Sequence, residues 1–150
     1  MTVIVTEDDF DVADLYTKLR KPDVPPSPGA VTVFIGLVRE MNNDHAITAM
    51  TLEHYPGMTE KQLESIRDQA MQRWPLTGAI IIHRVGKLTP NDQIVAVGTA
   101  SAHRQASFDA ANFIMDFLKT EAPFWKSEDR CDGAEWVAAR DSDDQAKTRW

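Results

Sequence analysis

The sequence predicts an α+β fold in which a mixed sheet packs against about three helices. Segments rich in β-branched residues alternate along the chain with segments whose apolar residues recur every three or four positions. Proline, glycine and asparagine cluster between these segments, as is typical of turns. At 150 residues the chain has the length of one ordinary domain, and we expect residues 1–150 to form one.

The strands are predicted from short runs of apolar and β-branched residues. The clearest run is Ala30–Val38, which is almost wholly apolar, as in a central strand. The other predicted strands are Val3–Val5, Ile47–His54, Ala79–Val85 and Gln93–Ala102, with short extended pieces at Trp125–Ser127 and Glu135–Ala138.

Three helices are predicted to pack on one sheet made from these strands. The first runs from Asp8 to about Arg20, and the second from about Thr59 to Trp74, where Thr59 and Gln62 fit a capping box. The third begins at His103 and ends near Thr120, because Pro123 disfavours its continuation. Its inward positions are Ala106, Ala110, Phe113, Ile114, Phe117 and Leu118.

Composition excludes several classes of partner and compartment. The net charge of −7 and pI near 5.0 disfavour general binding to nucleic acid or anionic lipid, so an anionic ligand needs a local basic pocket. Cys131 is the one cysteine; it predicts a reducing compartment, and its acidic turn makes it a poor nucleophile. No signal peptide or membrane span is recognisable, so we expect a cytoplasmic protein.

Motifs for common cofactors and metals are absent from the sequence. There is no glycine-rich phosphate loop and no cysteine pair for zinc, and the four histidines lack ligand spacing. We therefore expect neither a metal nor a bound cofactor. His54 and His83 fall within predicted strands, and we interpret them as structural residues.

Basic residues at the ends of predicted elements are the remaining candidates for chemistry. Arg39 follows a strand, Lys119 closes the third helix, and Lys126 follows seven residues later. Structural roles are also open for two of these residues. Arg39 is consistent with the first solvated residue after a strand, and Lys119 with a charge that stabilises the C-terminal end of the helix dipole. His103 and Arg104 are less expected at a helix N-terminus, which favours anions, and a bound phosphate would resolve that conflict.

Four segments together resemble the large-subunit family of molybdopterin synthase. They are Gly29–Arg39, Leu52–Met58, Ser101–Phe108 and Leu118–Glu128, and the resemblance extends to Trp150. It implies an α/β-hammerhead fold and a homodimer. Each protomer would bind a small ubiquitin-like carrier subunit whose C-terminal Gly-Gly bears a thiocarboxylate, giving a heterotetramer. The implied substrate is cyclic pyranopterin monophosphate, which receives two sulfurs to form the dithiolene of molybdopterin.

The same resemblance implies which positions contact substrate. They are Leu37, Val38, Arg39, His103, Arg104, Lys119, Lys126, Ser127 and Glu128. From the chemistry we expect Lys119 to be the principal acid and base, able to capture an acyl group transiently, and Lys126 to orient or protonate. Met115 lies one helical turn before Lys119 and is expected to form an apolar wall, and Arg140 is a candidate for an extra anion ligand.

Two departures from the family pattern concern Leu37 and the loop that follows Arg39. Relatives often carry lysine where this chain has Leu37, so contact there would be apolar or through the backbone. The loop after Arg39 reads Glu-Met-Asn-Asn-Asp-His, where relatives usually have Asn and Gly. The second departure leaves the conformation of that loop open.

The length of the third helix constrains how these residues can meet. His103 and Lys119 are 16 positions apart. In a continuous helix this separation is about 24 Å, too far for both residues to contact one small pterin. We therefore expect a shared site, with Lys119 and Lys126 from one subunit and His103 and Arg104 from its dimer mate.

Two other functions are compatible with parts of the sequence. A non-catalytic dimeric adaptor that binds the ubiquitin-like carrier would share the basic pocket, although retention of both Lys119 and Lys126 favours the enzyme. A phosphate-ester hydrolase is disfavoured, because neither a metal site nor a nucleophile–base pair is visible.

Overall fold

The computed structural model describes residues 2–22, 24–42, 45–130, 133–137 and 145–150, with backbone alone for 41–42, 45, 47, 128–130 and 133–137. Strands and helices alternate through these ranges, as predicted. The elements are β1 (Val3–Thr6), α1 (Val12–Arg20), β2 (Ala30–Leu37), β3 (Met41–Asn42), β4 (His45–His54), α2 (Met58–Arg73), β5 (Leu76–Arg84), β6 (Gly86–Leu88), β7 (Gln93–Ser101), α3 (Arg104–Glu121), β8 (Phe124–Arg130) and β9 (Gly133–Val137).

The first sheet has four strands in the order β1-β5-β7-β2. It is mixed, because β1 runs parallel to β5 while the other neighbours are antiparallel. Ala79 and Ile81 of β5 belong to the core beneath α2 and α3, whereas Ile80 and Ile82 pack with α1. This alternation places helices on both faces of the sheet. The predicted α+β class with a mixed sheet is confirmed.

The prediction that all strands join one sheet was wrong. A second sheet has the path β3-β4-β8-β9, and β6 also pairs with β4. The β4–β8 pairing places His54 opposite Phe124 and Leu52 opposite Lys126. Pairing between strands this far apart in sequence leaves no periodic trace, because each strand shows only its own alternation.

Val38 ties the two sheets together just beyond the end of β2. It is buried with Met50 of β4 and Leu88 of β6. Its N–H donates to the carbonyl of Asp92 at 2.9 Å, and its carbonyl accepts from the N–H of Asn91 at 2.8 Å. These contacts hold the chain rigidly where it leaves the first sheet.

The first two helices begin at residues other than those predicted. Helix α1 begins at Val12 because the Asp11 carboxylate caps it, accepting from the Ala13 N–H at 2.8 Å. Helix α2 begins at Met58 after Gly57, whose φ of 85° is easy for glycine. The capping box predicted at Thr59 and Gln62 was therefore wrong.

Helix α3 is continuous over 18 residues and buries a long apolar face against the first sheet. Its fully buried Phe113 and Ile114 pack in the same core as Val97 of β7. Near the start of the helix, the Thr99 hydroxyl donates to the Ser107 carbonyl at 2.7 Å. The third predicted helix and its inward face are confirmed. No helix within the described ranges is long and apolar enough to cross a membrane.

Some predictions from the sequence lie outside the described residues. These are the acidic turn at Cys131 and the anion ligand Arg140. The side chain of Glu128 is outside them too, although its backbone is described in β8.

Trp150 packs against buried residues of α3. Its Nε1–H donates to Asp116 Oδ2 at 2.5 Å. Its ring meets Trp74 edge-on at 5.5 Å and Phe113 at 5.8 Å between centroids. Trp150 thus joins the C-terminal end of α2 to the middle of α3 in one aromatic cluster.

His83 is a buried polar residue in the core between the first sheet and α3. Its Nδ1 lies 2.8 Å from the Arg84 carbonyl. Burial, with smaller contributions from the charges of Lys119 and His54, lowers the pKa of His83 to about 4. The imidazole is consequently neutral at physiological pH.

Trp150→Ala is expected to lower the free energy of unfolding by about 2 kcal/mol, since it removes a partly buried ring and a hydrogen bond to a buried carboxylate. Urea unfolding followed by circular dichroism measures the loss. Trp150→Phe, which keeps a ring but removes the N–H, should lose about half as much. An unchanged unfolding midpoint in Trp150→Ala would contradict the packing described.

The free energy of unfolding is expected to fall as the pH drops below the pKa that His83 has in the unfolded chain. Below that pH the unfolded chain binds a proton at His83, whereas the folded protein does not. The contribution of His83 is complete above pH 6.5 and is lost towards pH 4, the folded pKa. The loss amounts to about 3 kcal/mol. The wild-type unfolding free energy minus that of His83→Gln, measured from pH 7 to pH 4, should shrink by this amount. A pH-independent difference would show that His83 is not buried neutral.

Candidate active site

Lys119 lies on the last turn of α3, at the end of the first sheet where β7 begins and β5 ends. The β5–β7 register places His83 opposite Val95, and Val95 packs in the same core as Leu118. The Lys119 side chain is exposed, while the neighbouring Leu118 is buried. Helix α3 therefore presents the Lys119 amine above the ends of two core strands.

Lys126 lies on β8, in the second sheet. Because side chains alternate along a strand, Phe124 and Lys126 share one face of β8. Their cross-strand partners His54 and Leu52 share the same face of β4. Lys126 is half-buried there, next to buried Leu52.

The ring of His83 joins the two sheets at this point. It stacks on Phe124 with 3.9 Å between centroids and 19° between planes. His54 approaches the same Phe124 ring at 6.3 Å. Phe124 begins β8 only five residues after Lys119, so the short connection from α3 to β8 keeps Lys119 at this end of the two sheets. Lys119 and Lys126 thus lie at the same end of the molecule, separated by aromatic rings.

The segment Leu37–Arg39 lies at that end as well. Leu37 closes β2 opposite Gln93 and is 48% exposed, whereas Val38 is buried and Arg39 is exposed. Val38 packs on Met50, whose partner on β8 is Glu128. Ser127 follows Lys126, is half-buried and faces Thr51 across the strands. The predicted residues 37–39 and 126–128 are therefore neighbours, and Lys119 lies at the same end of the first sheet.

His103 and Arg104 lie at the opposite end of α3. His103 is the N-cap residue, and its side chain makes no capping hydrogen bond. Both side chains are exposed, and the first turn of the helix holds no acidic residue. Free N–H groups and two basic side chains at one helix start suit a bound anion.

A single chain does not bring these two groups of residues together. With α3 continuous from Arg104 to Glu121, His103 and Lys119 are separated by about 24 Å along its axis. The register of β2 and β7 gives the same separation. The pair Ala30–Ser101 marks the end of the first sheet near His103, and the pair Leu37–Gln93 marks the opposite end. The separation expected from the length of the third predicted helix is therefore present in the structure.

Three aromatic residues near Lys119 were not predicted as part of the site. From the sequence we interpreted His54 and His83 as structural residues, and the structure shows that His83 is buried. The available signal was alternation, because His83 follows Ala79 and Ile81 on the face of β5 beneath α3. Phe124 had no signal of its own, since only the β8 register brings it onto His83. Among the described residues, no cluster of His, Cys, Asp and Glu could hold a metal ion.

Comparison with known proteins gives one consistent result. A family model described as MoaE protein matches residues 5–121. The molybdopterin synthase catalytic subunit of Ralstonia nicotianae is 54% identical over 149 residues, covering 99% of this chain and 84% of the relative. The subunit of the same name from Escherichia coli is 51% identical over 148 residues, covering 99% and 97%.

A solved structure agrees with these relatives. The molybdopterin biosynthesis MoaE protein from Burkholderia ambifaria superposes with a TM-score of 0.83 at 49% identity, covering 99% of this chain and 97% of the other. The names of the curated relatives favour an enzyme over an adaptor. Since fold and about half of all residues are shared over nearly its whole length, this chain belongs to the MoaE protein family, that of the molybdopterin synthase catalytic subunits.

Proposed function

We propose that this chain transfers sulfur from a thiocarboxylated, ubiquitin-like carrier protein to cyclic pyranopterin monophosphate, forming the molybdopterin dithiolene. The observation that carries the proposal is the placement of Lys119 at the end of α3 and of Lys126 on the adjoining strand β8, within a family whose relatives are named catalytic subunits. The protein would act in the cytoplasm, with residues 1–150 as one domain. It would be a homodimer that binds two carriers, giving a heterotetramer.

The reaction needs cations more than it needs a nucleophile from the enzyme. The thiocarboxylate sulfur attacks a carbon of the pterin and displaces the oxygen held there, which leaves as a phosphate oxygen when the cyclic phosphate opens or, for the other sulfur, as water. The product of each attack is a thioester between carrier and substrate. Water then cleaves the thioester, leaving the sulfur on the substrate and a carboxylate on the carrier. Two carriers deliver two sulfurs. Each cleavage develops negative charge on oxygen, which a nearby ammonium stabilises.

Lys119 is suited to stabilise that charge and to move protons. It is exposed at the end of a rigid helix, where the carrier tail could reach it. A primary amine can also capture the acyl group of the thioester as an amide before water releases it. Lys126 extends from a paired strand, so its backbone is held more firmly than a loop would hold it, as suits an orienting or protonating role.

The substrate phosphate requires further cations, because the chain has a net charge of −7. Arg39 lies near the lysines, whereas His103 and Arg104 lie about 24 Å away at the far end of α3. We therefore place the partner subunit's His103 and the partner subunit's Arg104 in the site. Guanidinium groups bind phosphate through paired hydrogen bonds.

The free edge of the first sheet is suited to bring the two ends together. Strand β2 forms that edge, and its Phe34 and Leu37 are 42% and 48% exposed. A two-fold axis beside this edge would run β2 antiparallel to its copy. The Ala30 end, with His103 and Arg104, would then face the Leu37 end of the other subunit. One dimer would complete two identical sites.

Lys119→Ala is expected to lower the rate of dithiolene formation at least 100-fold while the dimer persists, because the principal proton-transfer group is removed. The assay mixes purified protein, thiocarboxylated carrier and pterin substrate, and light scattering reports the dimer. Lys18→Ala on α1 is the matched control, because Lys18 is an exposed lysine away from the candidate site that forms an ion pair with Asp14. Wild-type turnover by Lys119→Ala would refute the role of Lys119. Absence of product from the wild-type protein would refute the proposed function.

Mixing the inactive variants Lys119→Ala and Arg104→Ala is expected to restore activity. Each mixed dimer contains one wild-type site, so random reassortment restores roughly a quarter of the wild-type sites. Subunits are exchanged by dilution and reconcentration before the assay. Either variant exchanged with itself serves as the control. No recovery despite exchange, verified by mass spectrometry of differently tagged subunits, would show that each site lies within one chain.

A further inference from the structure

A cavity of about 410 Å³ lies at the start of β5, between the C-terminal end of α1 and α2. Leu19 and Lys21 line it from the end of α1, Arg67 from α2, and residues 77–80 from β5. None of the residues assigned to the candidate active site lines this cavity. It is therefore a second concave surface, which the proposed sulfur transfer does not use.

The cavity exists because β1 is too short to cover the start of β5. Val3, the first residue of β1, pairs with Ile81, so residues 77–80 of β5 extend beyond the parallel partner. The strand order β1-β5-β7-β2 places this opening at the opposite edge of the first sheet from β2. The cavity consequently stays accessible in a dimer formed along β2.

The wall of the cavity is basic, although the chain has a net charge of −7. Lys18, Lys21 and Arg67 line it, and no described acidic residue does. Lys18 Nζ lies 3.0 Å from Asp14, and Arg67 Nη1 lies 3.4 Å from Asp68. Both carboxylates are exposed, and exposed ion pairs are weak, so neither pair prevents an anion from binding in the cavity.

Arg67 is held in place at the mouth of the uncovered strand segment. Its Nε donates to the Ala79 carbonyl at 2.7 Å, and its side chain is 19% exposed. Within the described part of the chain, Nη2 makes no hydrogen bond. A guanidinium fixed through Nε loses little further freedom when its remaining N–H groups bind an anion such as phosphate.

Thr77 adds an unpartnered hydroxyl to the same wall. Its Oγ1 is buried and has no hydrogen-bond partner among the described residues. Buried polar groups are nearly always hydrogen-bonded, so this hydroxyl points to a partner that the chain itself does not supply. Rotation about χ1 exchanges the hydroxyl with the methyl group and allows it to donate to a ligand in the cavity.

The rest of the cavity is apolar and larger than a phosphate needs. A Cβ added at Gly78 would have only Leu19 Cδ2 within 4 Å, at 3.8 Å, so the backbone there borders open space. Apolar side chains complete the wall, namely Leu19, Pro22, Val24 and Ile80. The volume falls in the range of small-molecule sites. Cations beside apolar walls suit an anion that carries an organic group.

We propose that this cavity binds a small phosphate monoester. Arg67 and Lys21 bind the phosphate, the Thr77 hydroxyl donates to it, and the apolar walls cover the organic part. The site is separate from the candidate active site and does not depend on the proposed function. A protein that bound the monoester here and made no dithiolene would refute the sulfur transfer and leave this site standing.

Phenyl phosphate is a suitable probe, because it joins a phosphate monoester to an apolar ring. Its titration into the full chain is followed by NMR at the backbone amide of Gly78, which borders the cavity. A saturable shift of this resonance is expected. The shift should persist in Arg104→Ala, which removes a phosphate ligand of the candidate active site. No saturable shift at Gly78, or its loss in Arg104→Ala, would overturn the proposal.

Variants of the basic wall test which residues bind the phosphate. Arg67→Gln should weaken binding about tenfold, and Lys21→Gln about threefold, because each removes a charged donor. Lys61→Gln is the matched control, since Lys61 is exposed on the same helix as Arg67 and does not line the cavity. It should bind as tightly as wild type. Circular dichroism checks folding, and Lys21→Gln decides alone if Arg67→Gln does not fold. Unchanged affinity in Lys21→Gln, or an equal loss in Lys61→Gln, would overturn the proposal.

Inorganic phosphate distinguishes a monoester site from a simple anion site. It should bind about fivefold more weakly than phenyl phosphate, because it makes no apolar contact. Thr77→Val keeps the shape of the side chain without the hydroxyl and should weaken both ligands about threefold. Equal affinity for the two ligands would show an adventitious ion only, and that result or unchanged affinity in Thr77→Val would overturn the assignment.

Discussion

The packing of α3 against the first sheet is the constraint on which the rest of the structure depends. Phe113 and Ile114 are fully buried there, and the helix runs unbroken from Arg104 to Glu121. A rigid helix of that length fixes the distance between its ends. Basic residues at both ends are thereby held apart within one chain. A ligand that uses both groups must be bound by two subunits.

The second sheet brings the other half of the candidate site to the end of α3. Pairing of β4 with β8 carries Lys126 to the end of the first sheet, and the Val38 cluster with the His83–Phe124 stack holds the two sheets in contact. Apolar and aromatic burial thus sets the geometry, while the polar residues project from it. This division of roles is common, because precise placement of a flexible amine needs a rigid support.

Electrostatics at this end differ from the average of the chain. The acidic surface as a whole disfavours anions, whereas Arg39, Lys119 and Lys126 concentrate positive charge locally. Burial keeps the neighbouring His83 neutral, so it adds no further repulsion. An anionic substrate and an anionic carrier tail would both be attracted to this one region of the protein.

The sequence by itself determined most elements, because burial of one face imposes a period on each segment that can be read locally. Strands β3 and β6 were not predicted, because a segment of two or three residues is too short to show an alternation of apolar and polar residues. The lysines, Arg39 and the residues at the start of α3 were recognisable from motifs and from their positions at element ends. Helix length even indicated that they could not meet within one chain. Tertiary structure alone decided that the strands form two sheets, that Phe124 stacks on His83, and that the second sheet brings Lys126 to the end of α3. Those outcomes depend on register between segments distant in sequence and on burial from several sides, neither of which any single segment records.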